Sequence, residues 1–149
     1  MKILFLDIDG VINSYRTAHA MNGFPFETTP EHLIKFDLTA IKLIQKICAD
    51  GDIKIVLSST WRLHGDIKQI GEDLRLPIID ATPIKLDGVR GEEIAMWLRD
   101  HPEVTQWVIV DDDSDMLPNQ QKRFVKTTMA DGLQFHHYQK IRKLFGMKP

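Results

Sequence analysis

Short apolar runs alternate along the chain with longer segments in which apolar residues recur every three or four positions. The short runs are typical of buried strands, and five strands are predicted at residues 2–6, 53–57, 77–79, 107–110 and 124–126. The longer segments have the helical period, and helices are predicted at residues 38–50, 63–74, 91–100 and 135–145. Strands that alternate with amphipathic helices form βαβ units, so the pattern predicts an α/β fold with a parallel sheet covered by helices on both faces.

The first long helix is expected to begin after Asp37, a typical N-cap residue, and to end at Gly51. Its buried stripe is predicted to contain Leu38, Ile41, Ile44, Ile47 and Cys48. Residues 13–37 contain two prolines and show no sustained period, so we interpret them as a loop or small insert. The insert is expected to belong to a single domain that spans residues 1–149.

Length and composition favour an ordinary globular protein. Of 149 residues, 43% are hydrophobic and 27% are charged. No apolar run approaches the roughly 20 residues that cross a bilayer, and no cleavage-site pattern follows the first apolar run. Cys48 is the only cysteine, so no internal disulfide can form. These features predict a cytoplasmic protein that does not bind membranes.

The net charge of −2 conceals an uneven distribution along the chain. Residues 1–115 carry a net charge of −8, whereas residues 116–149 carry +6. The small total argues against a general nucleic-acid coat, because such proteins are strongly basic. The basic C-terminal part either offers a surface to a polyanion or pairs with the acidic remainder, and the sequence leaves both interpretations open.

Three of the predicted strands end in polar clusters. Asp7 and Asp9 follow the first strand, residues 58–60 follow the second, and an acidic run at 111–115 follows the strand at 107–110. Ligands of open parallel sheets bind at the carboxyl ends of the strands, so these clusters are expected to converge. Crowded carboxylates repel each other unless a cation is present, and oxygen ligands suit Mg²⁺. The sequence therefore predicts a magnesium site.

The same residues resemble the motifs of the haloacid dehalogenase-type (HAD) phosphohydrolases. The resemblance rests on Phe5-Leu6-Asp7-Ile8-Asp9-Gly10-Val11, on the serine after the second strand and on the later acidic pair, all in the family's order. It implies a three-layer Rossmann-like fold with a minimal cap, a Mg²⁺ cofactor and a phosphorylated substrate. The stretches at 59–62, 90–94 and 111–116 further resemble small HAD domains associated with RNA-repair proteins.

The resemblance implies a role for each carboxylate. Asp7 would be the nucleophile that forms an aspartyl-phosphate, and Asp9 would be the general acid and base. The implied metal ligands are Asp7, Asp9, Asp111 and Asp112, with Asp112 favoured as the direct ligand from the acidic run. Asp115 is expected to orient a metal-bound water or to hold a cationic side chain.

The resemblance also implies a set of groups that bind the phosphoryl oxygens. Ser59 is expected to supply the hydroxyl, with Ser58 as the alternative, and the backbone N–H of Thr60 is expected beside it. The family places a cation near a helix start, and Arg90 fits that place better than Lys85.

The substrate is less well defined by the sequence. A site without a full cap is open, which suits a bulky substrate such as a polynucleotide end or a phosphoprotein, and nucleotides are a further candidate. Trp61 would then stack on a base and Arg62 would contact a neighbouring phosphate, although Trp61 also suits a packed core position. The alternatives are a small-molecule phosphatase and a non-enzymatic receiver-like domain that accepts a phosphoryl group. Asp9 disfavours the receiver, because its spacing from Asp7 is that of a general acid.

Overall fold

A computed structural model describes residues 1–148 of the protein. The strands in these residues are β1 (Lys2–Leu6), β2 (Ile53–Leu57), β3 (Ile78–Ala81), β4 (Gln106–Asp111) and β5 (Phe124–Lys126). They form one sheet in the order β3-β2-β1-β4-β5, and every neighbouring pair is parallel. The predicted α/β class with a Rossmann-like parallel sheet is confirmed.

Helices cover both faces of this sheet. Within residues 1–148 they are α1 (Tyr15–Ala20), α2 (Pro30–Leu33), α3 (Leu38–Gly51), α4 (Ile67–Leu74), α5 (Arg90–Arg99) and α6 (Phe135–Leu144). Leu4 and Leu6 of β1 pack into the core formed with α3, α4 and α6, whereas Ile3 and Phe5 pack with Trp97 of α5. The alternation follows from the two-residue period of a strand. No helix of the described residues is long and apolar enough to span a membrane.

The helix predicted over residues 63–74 was wrong at its start. Residues 60–63 form a separate 3-10 turn capped by the side chain of Ser59, and α4 begins only after Asp66. The Asp66 side chain caps α4 by accepting a backbone N–H from its second residue. Two capping side chains within a few residues therefore make two elements where the apolar period indicates one.

Leu38 was wrongly assigned to the buried stripe of α3. Ile41, Ile44, Ile47 and Cys48 are buried as predicted, but Leu38 is 58% exposed. At 3.6 residues per turn, Leu38 lies about 120° around the helix from Ile44, which is near the centre of the buried face.

The insert at residues 13–37 is more ordered than predicted. It contains α1, which is capped by Ser14, and α2, which begins at Pro30. These helices have only 6 and 4 residues, so neither is long enough for its apolar positions to form a recognisable period in the sequence.

The polar clusters that follow the strands lie at one edge of the sheet. Asp7 follows β1 directly, and its backbone N–H donates to the carbonyl of Val110 in β4. Asp111 is the last residue of β4. Ser58 follows β2, and its N–H donates to the carbonyl of Leu6. The order of the strands along the chain reverses between β1 and β4, which is where ligands bind in open α/β sheets.

Candidate active site

Three carboxylates meet at this edge of the sheet. Asp7, Asp111 and Asp112 each place an oxygen within 4.8 Å of the others. Burial and the neighbouring charge of Asp111 raise the pKa of Asp7 to about 8. Burial also raises the pKa of Asp111 to about 6, even though the positive charge of Arg90 opposes the increase. The site therefore favours the protonated forms of both carboxyls in the absence of a bound cation.

Arg90, the first residue of α5, lies between two of these carboxylates. Its Nη1 donates to Asp111 Oδ2 at 2.9 Å and lies 3.4 Å from Asp7 Oδ1. Burial by itself lowers the pKa of Arg90, but the charges of Asp111, Asp7 and Asp115 outweigh burial and raise it. A permanent positive charge is therefore fixed beside Asp7.

The sequence left open whether Lys85 replaces Arg90 and which of two roles Asp115 has. Lys85 is 43% exposed at its side chain and pairs with Glu92 at 2.9 Å, so the structure places Arg90 at the cluster and Lys85 outside it. Asp115 Oδ2 accepts the backbone N–H of Arg90 at 3.0 Å, which holds the start of α5 against the acidic run. Asp113 is exposed.

The carboxylate of Asp9 lies outside the three-carboxylate cluster and is fixed by two donors. Asn13 Nδ2 donates to its Oδ1 at 2.8 Å, and the indole N–H of Trp61 donates to its Oδ2 at 3.1 Å. The structure does not bring this carboxylate together with the other predicted metal ligands, because both of its oxygens are held by these side chains. Its role as general acid and base stays a prediction.

Ser59 is the hydroxyl that lies near the nucleophile candidate. Its side chain is buried and acts to lower the pKa of Asp7, against the larger effect of burial, and its hydroxyl accepts the backbone N–H of Trp61 at 3.3 Å. The hydroxyl of Ser58 is buried without a hydrogen-bond partner in residues 1–148. This geometry favours Ser59 over Ser58. Thr60 is exposed, and the proposed use of its backbone N–H stays a prediction.

Arg62 does not project into solvent beside the cluster, as a contact with a neighbouring phosphate requires. Its Nη2 pairs with Glu93 Oε2 at 2.7 Å, and its Nη1 donates to the carbonyl of Ser59 at 2.7 Å. The Arg62 and Glu93 side chains are only 7% and 10% exposed. The guanidinium therefore holds the Ser59 turn in place, and breaking this buried pair would leave an uncompensated charge.

Two further residues shape the cluster. Gly10 has a φ of +78°, and a Cβ at this position would lie 2.5 Å from Asp112 Cγ, so only glycine lets Asp112 come this close. Thr127 donates its hydroxyl to the Gly10 carbonyl at 2.6 Å, and its N–H donates to the Asp111 carbonyl at 3.0 Å. The Asp-x-Asp-Gly motif points to Gly10, whereas Thr127 lies 117 residues from Gly10 and belongs to no motif in the sequence.

The donor set fits a hard divalent cation such as Mg²⁺. It consists of carboxylate oxygens, which Mg²⁺ prefers over nitrogen or sulfur ligands. Two of the three carboxyls have raised pKa values, first because they are buried, so a cation would replace the protons that they otherwise retain. Gly10 leaves the space in which Asp112 completes the set.

A comparison with protein families decides where the chain belongs. Residues 3–137 match the model described as the HAD domain in Swiss Army Knife RNA repair proteins. The chain is a member of this HAD family. The match runs from β1 into α6 and includes the whole carboxylate cluster, so this HAD domain is of the hydrolase type, a class that typically uses a divalent metal. Comparisons with curated proteins and with solved structures found no match.

Proposed function

We propose that this HAD domain is a Mg²⁺-dependent phosphomonoesterase that works through an aspartyl-phosphate on Asp7. The observation that carries the proposal is the position of Asp7, which lies 3.4 Å from Arg90 Nη1 and near the buried side chain of Ser59. A nucleophile, a fixed cation and a hydroxyl donor are the groups that phosphoryl transfer requires. The second carboxylate, Asp9, is held two residues away by Trp61 and Asn13.

In the first half of the reaction, a carboxylate oxygen of Asp7 attacks phosphorus and the bond from phosphorus to the leaving-group oxygen breaks. Asp9 gives its proton to that oxygen, and the substrate leaves as an alcohol. Arg90 and Ser59 hold the phosphoryl oxygens during the transfer. Asp7, Asp111 and Asp112 would hold Mg²⁺, which supplies positive charge to the phosphoryl group.

In the second half, Asp9 acts as a base. It removes a proton from water, the water oxygen attacks phosphorus, and the bond from phosphorus to the Asp7 oxygen breaks. Inorganic phosphate leaves, Asp7 is again a carboxylate and Asp9 is again protonated. The hydrogen bonds from Asn13 and Trp61 keep the Asp9 carboxylate in one orientation for both transfers.

Affinity for Mg²⁺ should rise with pH between about 6 and about 8. Burial is the main cause that raises the pKa of Asp7 to about 8 and that of Asp111 to about 6, so bound protons must leave before Mg²⁺ can bind. Calorimetric titration with Mg²⁺ at pH 6, 7 and 8, in two buffers of different ionisation enthalpy, measures both the affinity and the released protons. A pH-independent affinity without proton release would contradict the proposed ligand set.

We propose phosphorylated polynucleotide ends as the substrate class. The family is described from RNA repair proteins, and its substrates are expected to be nucleic acid. Lys126 ends β5 in register with Asp111, so a basic side chain lies at the same edge of the sheet as the cluster. Its Nζ donates to Ser114 Oγ at 2.6 Å. A positive charge beside the cluster suits a strand that carries further phosphates.

A substrate panel tests this function. With Mg²⁺, the protein should hydrolyse an aryl phosphate, and the activity should disappear with EDTA and return with excess Mg²⁺. RNA with a 3′- or 5′-phosphate should be hydrolysed with a higher kcat/KM than sugar phosphates. A preference for sugar phosphates would reject the substrate class, whereas turnover in EDTA would reject the metal requirement.

A further inference from the structure

A pocket of about 310 Å³ lies between the insert and the start of α4. Phe26 and Thr28 of the insert line one part of it, and Trp61, Ile70 and Asp73 line another. The hydroxyl of Thr28 donates to Asp73 Oδ2 at 2.6 Å, which ties the insert to α4. The walls of the pocket are therefore held together by a direct hydrogen bond.

Trp61 connects this pocket to Asp9. Its indole N–H donates to the Asp9 carboxylate at 3.1 Å, and the same side chain lines the pocket. A general acid must reach the leaving-group oxygen, so the leaving group of the substrate lies on the Asp9 side of phosphorus. The pocket is therefore next to the part of the substrate that is attached to that oxygen.

The lining of the pocket is aromatic and acidic. Phe26 is 76% exposed. Its backbone N–H donates to His32 Nδ1 at 3.1 Å, and the centroids of the Phe26 and His32 rings are 5.0 Å apart. Trp61 provides a second aromatic surface. In residues 1–148, the charged side chains that line the pocket are Glu27, Asp66 and Asp73. Negative side chains repel phosphates, whereas aromatic side chains stack on flat, neutral rings.

We propose that this pocket binds the base of the nucleotide that carries the scissile phosphate. The proposal rests on the phosphomonoesterase function and names the part of the substrate that the enzyme recognises. A volume of about 310 Å³ is at the lower end of small-ligand pockets, so it takes one base and not a stack of several. The phosphates of the strand stay outside, where the acidic lining does not oppose them.

The ratio of kcat/KM between a nucleotide and its base-free counterpart tests the pocket. The substrates are adenosine 5′-phosphate and ribose 5-phosphate, together with the corresponding pair that carries the phosphate at the 3′ position. In the parent protein the nucleotide should be preferred. Phe26→Ala should reduce the ratio roughly 5- to 150-fold, the range found when a stacking aromatic residue is replaced by alanine. Phe26→Tyr, which keeps the ring, should preserve it.

Ile34→Ala is the matched control, because Ile34 is an exposed apolar residue of the same insert that does not line the pocket. It should keep the parental ratio. A parental ratio near one, or a ratio that Phe26→Ala does not change, overturns the base pocket while hydrolysis of aryl phosphates still supports the phosphomonoesterase.

Binding of free adenosine separates the two proposals further. Because Trp61 lines the pocket, adenosine should change the tryptophan fluorescence of the parent protein and of Ile34→Ala, and Phe26→Ala should weaken this binding. If no phosphate ester is hydrolysed, the proposed function fails, and the adenosine titration still decides the pocket. Absence of adenosine binding to the parent protein would overturn the pocket.

Discussion

Asp7→Asn is expected to abolish phosphatase activity, with kcat reduced by at least roughly 10⁴-fold. The amide cannot attack phosphorus in place of the carboxylate, and it also removes one member of the cluster that is expected to hold Mg²⁺. Steady-state hydrolysis of an aryl phosphate with saturating Mg²⁺ measures the loss. Activity within tenfold of the parent protein would mean that another residue is the nucleophile.

The same variant should be more stable than the parent in the absence of metal at pH 8. Burial and Asp111 raise the pKa of Asp7 from 3.8 to about 8, so the folded state binds a proton that the unfolded chain has lost. The contribution of Asp7 to the free energy of unfolding therefore falls as the pH rises from about 4 to about 8. Asparagine carries no charge at any of these pH values, so the variant does not lose this free energy. A gain of about 1 kcal/mol would raise Tm by about 2–4 °C.

Asp113→Asn is the matched control for both measurements. Asp113 belongs to the same acidic run but is exposed and lies outside the cluster. This variant should keep the parental activity and the parental Tm. A lower Tm of metal-free Asp7→Asn at pH 8 would contradict the repulsion between Asp7 and Asp111.

Asp9→Asn is expected to lower kcat by roughly 10²- to 10⁴-fold, the usual contribution of a general acid or base. The loss should depend on the leaving group. An alkyl phosphate needs a proton on its leaving oxygen in the first step, whereas an aryl phosphate has a good leaving group and needs Asp9 only for the attack of water. The kcat/KM values of the two esters at saturating Mg²⁺ measure the difference, because kcat/KM reports the steps up to release of the leaving group and excludes the breakdown of the intermediate that both esters share. An equal loss in the rate of the first step for both esters would exclude Asp9 as the acid.

The position of the site at the carboxyl edge could be predicted because its residues directly follow apolar strands. The end of a strand fixes where Asp7 and Asp111 lie, and a parallel sheet brings such ends together. The orientation of Asp9 and Arg62 could not be predicted in this way. Asp9 is held by Trp61, 52 residues away, and Arg62 is buried by Glu93, 31 residues away. Those contacts depend on tertiary packing, which leaves no periodic signal in the sequence.

The small elements of the insert were missed for a related reason. A helix is recognised by the repetition of its apolar face over several turns, and α1 and α2 have fewer than two turns each. The loop between these two helices supplies Phe26 and Thr28 to the pocket beside Trp61.

The covalent step on Asp7 can be observed by rapid mixing of Asp9→Asn with Mg²⁺ and p-nitrophenyl phosphate. This ester needs no acid to expel its leaving group, whereas breakdown of the aspartyl-phosphate needs the base that the variant lacks, so the intermediate should accumulate. We expect a burst of one equivalent of nitrophenolate, and mass spectrometry of the acid-quenched protein should find one phosphoryl group on the peptide that contains Asp7. Nitrophenolate release without a burst, together with an unmodified Asp7 peptide or a phosphoryl group on another residue, would contradict the mechanism.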